Sequence, residues 1–234
     1  MKLIRDIIIW GDSLIKGIAF DSIGNRYSTI RENGVHMVEN SLGVTIKNRA
    51  RFGCTAPKGK MILQKDLQTG MSADVGLIEF GGNDCDFDWK QVSERPLDTH
   101  QPKTPLGAFK EAMIQMIHAV RKTGATPMVM SMPPLDAERY FEFISRGGLN
   151  KKNIIQWLGD VQHIYRWHEL YSNEIVKLAL ENDCILVDVR GAFLQEWDHR
   201  QYLCEDGIHL NEKGQKFLGN IFVEYARTRK PALV

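Results

Sequence analysis

The chain has 234 residues, of which 43% are hydrophobic and 25% are charged, and its formal net charge is +1. This length and apolar content suit one α/β domain with a sizeable core. The nearly balanced charge argues against a basic surface that would bind nucleic acid and against an acidic tail. No apolar stretch is long enough to span a bilayer. We therefore expect neither a nucleic-acid partner nor a membrane span; the sequence carries no signal for an oligomeric state.

The cysteines and the N-terminal stretch favour a cytoplasmic protein. The apolar run near the N-terminus is short, follows Asp6 and leads into Gly11 rather than a small-residue cleavage site, which is unlike a secretory signal. The cysteines show no C-x-x-C spacing, so we expect reduced, mostly buried thiols. They are Cys54, Cys85, Cys184 and Cys204.

The first predicted strand ends at a candidate nucleophile. An apolar run over residues 7–10 stops at Gly11 and is followed by Asp12 and Ser13. Open α/β sheets place their chemistry at the carboxyl ends of strands, where Ser13 would lie. The alternative is that Asp12 or Ser13 only caps the next helix. A phosphate loop is excluded because Gly17 is not followed by the lysine and hydroxyl residue that it needs.

The middle of the chain offers two candidate hydrogen-bond donors, each after a predicted strand. Gly53 could present a bare backbone N–H to a ligand, and Asn83 could donate from its side chain. Each is also typical of a plain turn. The elements predicted here are a loop over residues 21–29, helices over 30–42 and 58–67, and strands over 44–46 and 75–80.

The second half continues the alternation of strands and helices, which predicts a three-layer α/β/α domain with a parallel sheet. Its predicted elements are an irregular loop over residues 85–105, helices over 106–122, 170–180 and 211–227, and strands over 127–132 and 184–189. The loop over 85–105 is longer than an ordinary connection, so a functional role is plausible.

The segment 135–159 is a candidate substrate-covering lid, and an ordinary helical insertion is the alternative. Its aromatic residues are Tyr140, Phe141, Phe143 and Trp157. His163 and His168 follow, five positions apart and without an H-E-x-x-H motif, so we interpret both as ordinary surface or packing residues and predict no metal site.

Asp206 and His209 complete a set of groups that acyl transfer requires. They lie three positions apart before a predicted helix, so the carboxylate can hold Nδ1–H of the imidazole and leave Nε2 as a base for Ser13. The oxyanion that forms would need preorganised donors, which Gly53, Asn83 and the Ser13 backbone could supply. Each piece is weak by itself, but all of them in one chain are hard to explain as turns and caps.

The chain resembles the SGNH hydrolase superfamily, also called GDSL esterases and lipases. Its four sequence blocks match in the family order, with Leu210 where proline is common. The matching residues are Gly11-Asp12-Ser13-Leu14, then Asn48, Gly53 and Thr55, then Gly81-Gly82-Asn83-Asp84, and finally Asp206-Gly207-Ile208-His209.

The resemblance implies a single domain over residues 1–234 with a flavodoxin-like five-stranded parallel sheet of order 2-1-3-4-5. It implies Ser13 as nucleophile, His209 as general base and acid, and Asp206 as the acid that orients it. The oxyanion donors would be Ser13 N–H, Gly53 N–H and the Asn83 side chain. Asp12 is expected only to brace the turn, and no cofactor or metal is implied.

The expected activity is that of a serine esterase acting on a small-molecule ester through an acyl-serine intermediate. A small O-acyl group such as acetyl on a carbohydrate is the first hypothesis. A short-chain lipase or thioesterase is the alternative, and the lid aromatics would suit either. A binding module that kept the fold and lost turnover is the non-enzyme hypothesis, and the complete set of site residues argues against it.

Overall fold

The computed structural model describes residues 4–228, and five parallel strands form its central sheet in the order β4-β1-β5-β6-β7. The sheet strands are β1 (Asp6–Gly11), β4 (Thr45–Asn48), β5 (Val75–Glu79), β6 (Thr126–Met130) and β7 (Ile185–Val187). When only these five strands are numbered along the chain, leaving out β2 and β3, their order in the sheet is 2-1-3-4-5, which confirms the predicted topology. In the register of β1 and β5, Gly11 lies opposite Glu79.

A two-stranded antiparallel hairpin occupies most of the segment that was predicted to be a loop over residues 21–29. Its strands are β2 (Ile18–Asp21) and β3 (Arg26–Thr29), which pair from Ile18 with Thr29 to Asp21 with Arg26. The loop prediction is therefore wrong. Every residue of β3 is exposed, so this strand lacks the alternation of buried and exposed residues by which a sequence indicates a strand.

Ten α-helices surround the sheet in the described chain. They are α1 (Ser13–Lys16), α2 (Gly34–Leu42), α3 (Ala56–Gln68), α4 (Trp89–Glu94), α5 (Leu106–Lys122), α6 (Ala137–Ile144), α7 (Lys151–Leu158), α8 (Gln162–Glu181), α9 (Val189–Gln195) and α10 (Glu212–Thr228). Two 3₁₀ turns lie at Ser145–Gly147 and His199–Tyr202. The bounds predicted for α5 are confirmed, whereas the loop over 85–105 contains α4.

Two helices begin four or more positions away from the predicted residue. Helix α2 begins at Gly34 rather than at residue 30, because the Asn33 side chain caps it by accepting hydrogen bonds from the Val35 and His36 backbones. Helix α8 begins at Gln162 rather than at residue 170, so it carries both His163 and His168. The cap at Asn211 is as predicted, since its side chain accepts from Gly214 N.

Each face of the sheet packs on its own layer of helices, which gives the three layers that were predicted. On one face, Ile8 and Ile78 of the sheet and Phe80, directly after β5, pack with side chains of α3, α5 and α8, among them Leu63, Phe109, Met116 and Tyr171. On the other face, Ile9, Leu77 and Met130 pack with Val35, Phe193 and Leu218 of α2, α9 and α10. Full burial stabilises the fold by roughly 1.5–3 kcal/mol for each such large apolar side chain.

A third apolar cluster joins the predicted lid to the domain. Residues of α6 and α7 pack there against α4 and α8, so the segment 135–159 is mainly two helices rather than an extended strap. The buried members are Phe87, Trp89, Val92, Leu135, Ala137, Tyr140, Phe141, Ile154, Leu158 and Ile164.

The cysteines are free thiols; Cys54, Cys85 and Cys204 are buried and Cys184 is partly buried, in agreement with the expectation from their spacing. Within residues 4–228, no helix combines the length and the apolarity that a membrane span requires.

Candidate active site

Ser13 is the first residue of α1, at the carboxyl end of strand β1, which lies between β4 and β5, and its side chain is buried. Asp12 caps this helix, accepting a hydrogen bond from Leu14 N at 2.9 Å. The turn requires glycine at position 11, where a Cβ atom would lie 2.5 Å from Ile15 Cγ2. The strand, the tight turn and the cap together fix the direction of the serine side chain.

Ser13, His209 and Asp206 form one chain of hydrogen bonds. Ser13 Oγ lies 3.0 Å from His209 Nε2, and His209 Nδ1 lies 2.6 Å from Asp206 Oδ2. The other Asp206 oxygen accepts from the backbone N–H groups of Ile208 and His209, and Asp206 is fully buried. Since Asp206 occupies Nδ1, the Nε2 atom is free to accept the serine proton.

The loop that carries Asp206 and His209 is tied to the chain on both sides. Gly207 has φ +78°, and a Cβ there would lie 2.7 Å from the Asp136 carbonyl oxygen, so glycine is required. The Gly207 carbonyl accepts from Asp136 N at 2.8 Å. Leu210, which stands where the family often has proline, is fully buried and bridges to Leu203. The apolar packing of Leu210 stabilises the loop in place of the rigid backbone that a proline would provide.

Asn83 lies at the same site, on the loop that follows β5. Its Nδ2 donates to Asp12 Oδ2 at 2.9 Å, and its second amide N–H has no acceptor among the described residues. Gly53 has φ +67° and lies in an exposed turn with open space where a Cβ would be. Ser13 and Asn83 line one cleft, whereas Gly53 lies outside its walls.

Two buried carboxyl groups, those of Asp12 and Glu79, lie beneath the serine turn. Glu79 Oε2 accepts from Asp12 N at 3.0 Å, and each residue is 3% exposed. Burial, together with the Asp12 charge, raises the pKa of Glu79 well above its ordinary value. Burial also raises the pKa of Asp12, against the effect of its hydrogen bonds to Leu14 and Asn83. The raised pKa favours the protonated form of Glu79 in the folded chain. Asp12 braces the turn as predicted, through its bonds to Glu79 and Leu14.

A cleft opens beside Ser13, His209 and Asn83, with an empty volume of about 850 Å³ that includes its open mouth. Most of its wall is apolar or aromatic: Leu14, Cys85, Phe87, Trp89, Met132, Pro133, Leu135, Tyr140, Leu158, Ile164, Trp167 and Ile208. The Tyr140 hydroxyl donates to Asp86 Oδ1 at 2.7 Å, which fixes the ring in the wall.

Of the four aromatic residues predicted to cover the substrate, Tyr140 lines the cleft. The other three lie elsewhere. Phe141 is buried in the third apolar cluster, Phe143 packs edge-on against Phe20 at 5.0 Å, and Trp157 packs against Phe87 at 4.8 Å. Helical spacing could not separate them, because it does not tell which side of an amphipathic helix faces a site and which faces a core.

Sequence reasoning missed several wall residues. Phe87 and Trp89 lie in the segment that was predicted to be irregular, and His163, Trp167 and His168 lie on the first turns of α8. Both histidines were interpreted as surface or packing residues, but both line the cleft. Burial and the neighbouring Arg190 charge lower the pKa of His168 to about 3. Its imidazole is therefore a neutral part of the wall at physiological pH.

Two further aromatic residues contact His209 from outside the cleft. The Tyr27 ring of β3 lies 5.0 Å from the His209 ring, and the Phe52 ring lies 6.1 Å from it and nearly parallel, at 15°. Burial and the Asp206 carboxylate raise the pKa of the Tyr27 hydroxyl. Since the hairpin was predicted to be a loop, no pattern in the sequence indicated Tyr27 as a site residue.

Comparison with known proteins agrees with this geometry. A model of the GDSL-like lipase/acylhydrolase family matches residues 9–217. No curated protein matches the chain.

The fold is similar to those of several solved structures. A lipase/acylhydrolase from Enterococcus faecalis has a TM-score of 0.64 and 19% identity, with 96% of each chain covered. The acetyl xylan esterase AlAXEase has a TM-score of 0.62 and 18% identity, with 94% of this chain and 98% of that chain covered. An acetylxylan esterase from Geobacillus stearothermophilus has a TM-score of 0.66 and 16% identity, with 96% and 94% covered. Since the family match spans nearly the whole described chain and includes both ends of the hydrogen-bonded set from Ser13 to His209, the chain belongs to the GDSL-like lipase/acylhydrolase family of ester-hydrolysing serine hydrolases.

Proposed function

We propose that the chain hydrolyses carboxylic esters through an acyl-serine intermediate on Ser13. The observation that carries the proposal is the hydrogen bond of 3.0 Å between Ser13 Oγ and His209 Nε2, together with the distance of 2.6 Å between His209 Nδ1 and Asp206 Oδ2. A serine hydroxyl is a poor nucleophile alone, and a histidine in this position makes it reactive by taking its proton.

The proposed reaction has two halves. In the first, His209 takes the Ser13 proton, Oγ attacks the ester carbonyl, and the imidazolium then gives its proton to the leaving alcohol oxygen. In the second, His209 takes a proton from water, the hydroxide attacks the acyl-serine, and the proton returns to Ser13. The products are one carboxylic acid and one alcohol, and the protein is regenerated.

We assign oxyanion stabilisation to Ser13 N–H, Gly53 N–H and the Asn83 side chain. Asn83 supports this role best, because one of its amide N–H groups is held by Asp12 while the other has no acceptor in the described chain. The Gly53 turn is exposed, and a Cβ at this position would meet nothing within 4 Å, so the turn is open on that side. Donors that are already in place cost no reorganisation when the charge develops.

For the substrate we propose a small O-acyl group, with acetyl on a carbohydrate as the first candidate. Two of the similar structures are acetyl xylan esterases, which supports this class. A short-chain lipid or thioester is the second candidate, favoured by the apolar cleft wall at Leu135, Leu158 and Ile164. A silent binding module is disfavoured because all the groups that turnover needs are present.

We further infer that the chain is one domain over residues 1–234, located in the cytoplasm, in keeping with its free thiols. In this proposal the segment 135–159 acts as the cover of the cleft, to which it contributes Leu135, Tyr140 and Leu158. These side chains pack with α4 and α8.

A hydrolysis panel tests the proposal. Purified protein and its Ser13→Ala variant are compared on p-nitrophenyl acetate, butyrate and octanoate, on acetylated xylo-oligosaccharides and on acyl-CoA thioesters. Serine-dependent release that is strongest on the acetylated sugars supports the first candidate, and a preference for longer acyl chains or thioesters supports the second. Equal release by the Ser13→Ala variant, with its fold intact by circular dichroism, would contradict the mechanism.

A further inference from the structure

Four aromatic rings form a continuous row outside the cleft. The ring centroids of Phe143 and Phe20 are 5.0 Å apart, those of Phe20 and Tyr27 are 5.2 Å apart, and those of Tyr27 and Phe52 are 5.0 Å apart. Phe20 and Tyr27 belong to the β2–β3 hairpin, Phe52 to the turn after β4, and Phe143 to α6. We call these residues the aromatic row; none of them lines the cleft.

The aromatic row becomes more exposed from Phe20 toward its end at His209, and Phe143 at the other end is partly buried. Phe20 is 8% exposed, Tyr27 is 36% exposed and Phe52 is 52% exposed. Tyr27 and Phe52 both contact the His209 ring, and Phe52 directly precedes Gly53 in the chain. A single exposed phenylalanine needs no explanation. Here two exposed rings pack against each other, beside the general base His209 and next to the candidate oxyanion donor Gly53. This position is one where a substrate can reach them.

The chemistry decides which part of an ester would meet these rings. The proton that His209 gives up goes to the leaving alcohol oxygen, so this oxygen must come within hydrogen-bond reach of Nε2. The cleft on the Asn83 side offers room for the acyl part. In the described chain, the aromatic rings that contact His209 outside the cleft are those of Tyr27 and Phe52, which makes them the candidate neighbours of the alcohol part.

Resting on the proposed function, we propose that Phe52 and Tyr27 form a binding subsite for the alcohol part of the ester, and that this alcohol is a six-membered ring with a flat face. The faces of aromatic rings carry partial negative charge and attract the partly positive hydrogens of a sugar face or of an aryl edge. Phe20 packs against Tyr27, and Tyr27 packs against Phe52, so the two rings already have neighbours and little ordering is needed on binding. A short alkyl alcohol would cover little of either ring.

The test compares acetate esters that share the acyl group and differ in the alcohol: ethyl acetate, phenyl acetate and acetylated xylo-oligosaccharides. We measure kcat/KM for the wild type, for Phe52→Ala and for a control, Met61→Ala. Met61 is 68% exposed on α3 and lies outside the aromatic row, so it matches the loss of an exposed apolar side chain. Because each ester is compared across variants, the intrinsic reactivity of its leaving group cancels.

We expect the ratio of kcat/KM for a ring ester to that for ethyl acetate to fall roughly tenfold in Phe52→Ala, mainly through KM, and to stay constant in Met61→Ala. A fall on the xylo-oligosaccharides identifies a sugar as the ring, a fall on phenyl acetate identifies an aryl alcohol, and a fall on both identifies any flat ring. An unchanged ratio, or an equal loss on all three esters, would overturn the subsite. Absence of Ser13-dependent hydrolysis in the wild type would instead overturn the proposed function, and the subsite with it.

Discussion

The Asn83 side chain is held by the Asp12 carboxylate, with Nδ2 and Oδ2 2.9 Å apart. This bond joins the loop after β5 to the cap of α1, two segments that are 71 positions apart in the chain. Asp12 therefore has two tasks, since its other oxygen caps the helix that begins with Ser13. A rigid amide beside the serine is what an oxyanion donor requires.

Asn83→Ala should lower kcat by roughly 10²–10³ and leave KM nearly unchanged, because the lost bond forms mainly in the transition state. The measurement is steady-state kinetics on p-nitrophenyl acetate, with thermal unfolding as the control for folding. An unchanged kcat in a folded variant would assign the oxyanion to other donors.

Asp12→Ser should lower kcat by about tenfold, because serine can still cap α1 but is too short to reach the Asn83 amide. The effect should nearly vanish when the substitution is made in the Asn83→Ala background, since both changes remove the same interaction. The full double-mutant cycle is measured on one ester. Independent, additive effects would show that Asp12 does not act through Asn83.

Glu79→Gln should become progressively more stable than the wild type as the pH rises above about 4.5, the ordinary pKa of glutamate. The folded chain holds a proton on Glu79 that the unfolded chain releases near this pH, so the wild type loses stability as the pH approaches the raised pKa of the folded state. Glutamine keeps an oxygen acceptor for Asp12 N. Denaturant unfolding of both proteins from pH 4.5 to 8 measures the difference between their free energies of unfolding. If this difference does not change with pH, Glu79 does not hold a proton that the unfolded chain releases.

Gly59→Ala should destabilise the fold by roughly 1–3 kcal/mol, because the new Cβ would lie 2.1 Å from Phe80 Cζ in a packed core. Gly107 provides the matched control. It also lies on a helix, α5, but a Cβ there meets nothing within 4 Å, so Gly107→Ala should be neutral or stabilising by up to about 1 kcal/mol. Thermal unfolding of the two variants and the wild type gives the change in melting temperature. An equal change for Gly59→Ala and Gly107→Ala would contradict the packing argument.

The sequence predicted the sheet and the hydrogen-bonded set well, for a physical reason. The strands of a parallel sheet are buried on both faces and read as short apolar runs, and their carboxyl ends meet at one edge. Ser13 and Asn83 each follow such a run, so their proximity could be anticipated. Asp206 and His209 lie three positions apart, and a single loop suffices to join them.

The walls around the site could not be predicted in the same way. The exposed strand β3, which carries Tyr27, has no alternation of buried and exposed residues. The aromatic spacing of α6 identified an amphipathic helix but not that Phe141 faces the core and Tyr140 the cleft. His163 and His168 became wall residues because α8 begins eight positions earlier than predicted, at Gln162 rather than residue 170.

Covalent labelling by a fluorophosphonate tests the central claim, that Ser13 is an activated nucleophile, without requiring the natural substrate. Intact-mass spectrometry of the wild type should show a single adduct, which peptide mapping locates on Ser13, and neither Ser13→Ala nor His209→Ala should be labelled at a comparable rate. The second variant matters because Ser13 reactivity should depend on the imidazole 3.0 Å away. An unlabelled wild type, or labelling that survives loss of Ser13, would contradict the account.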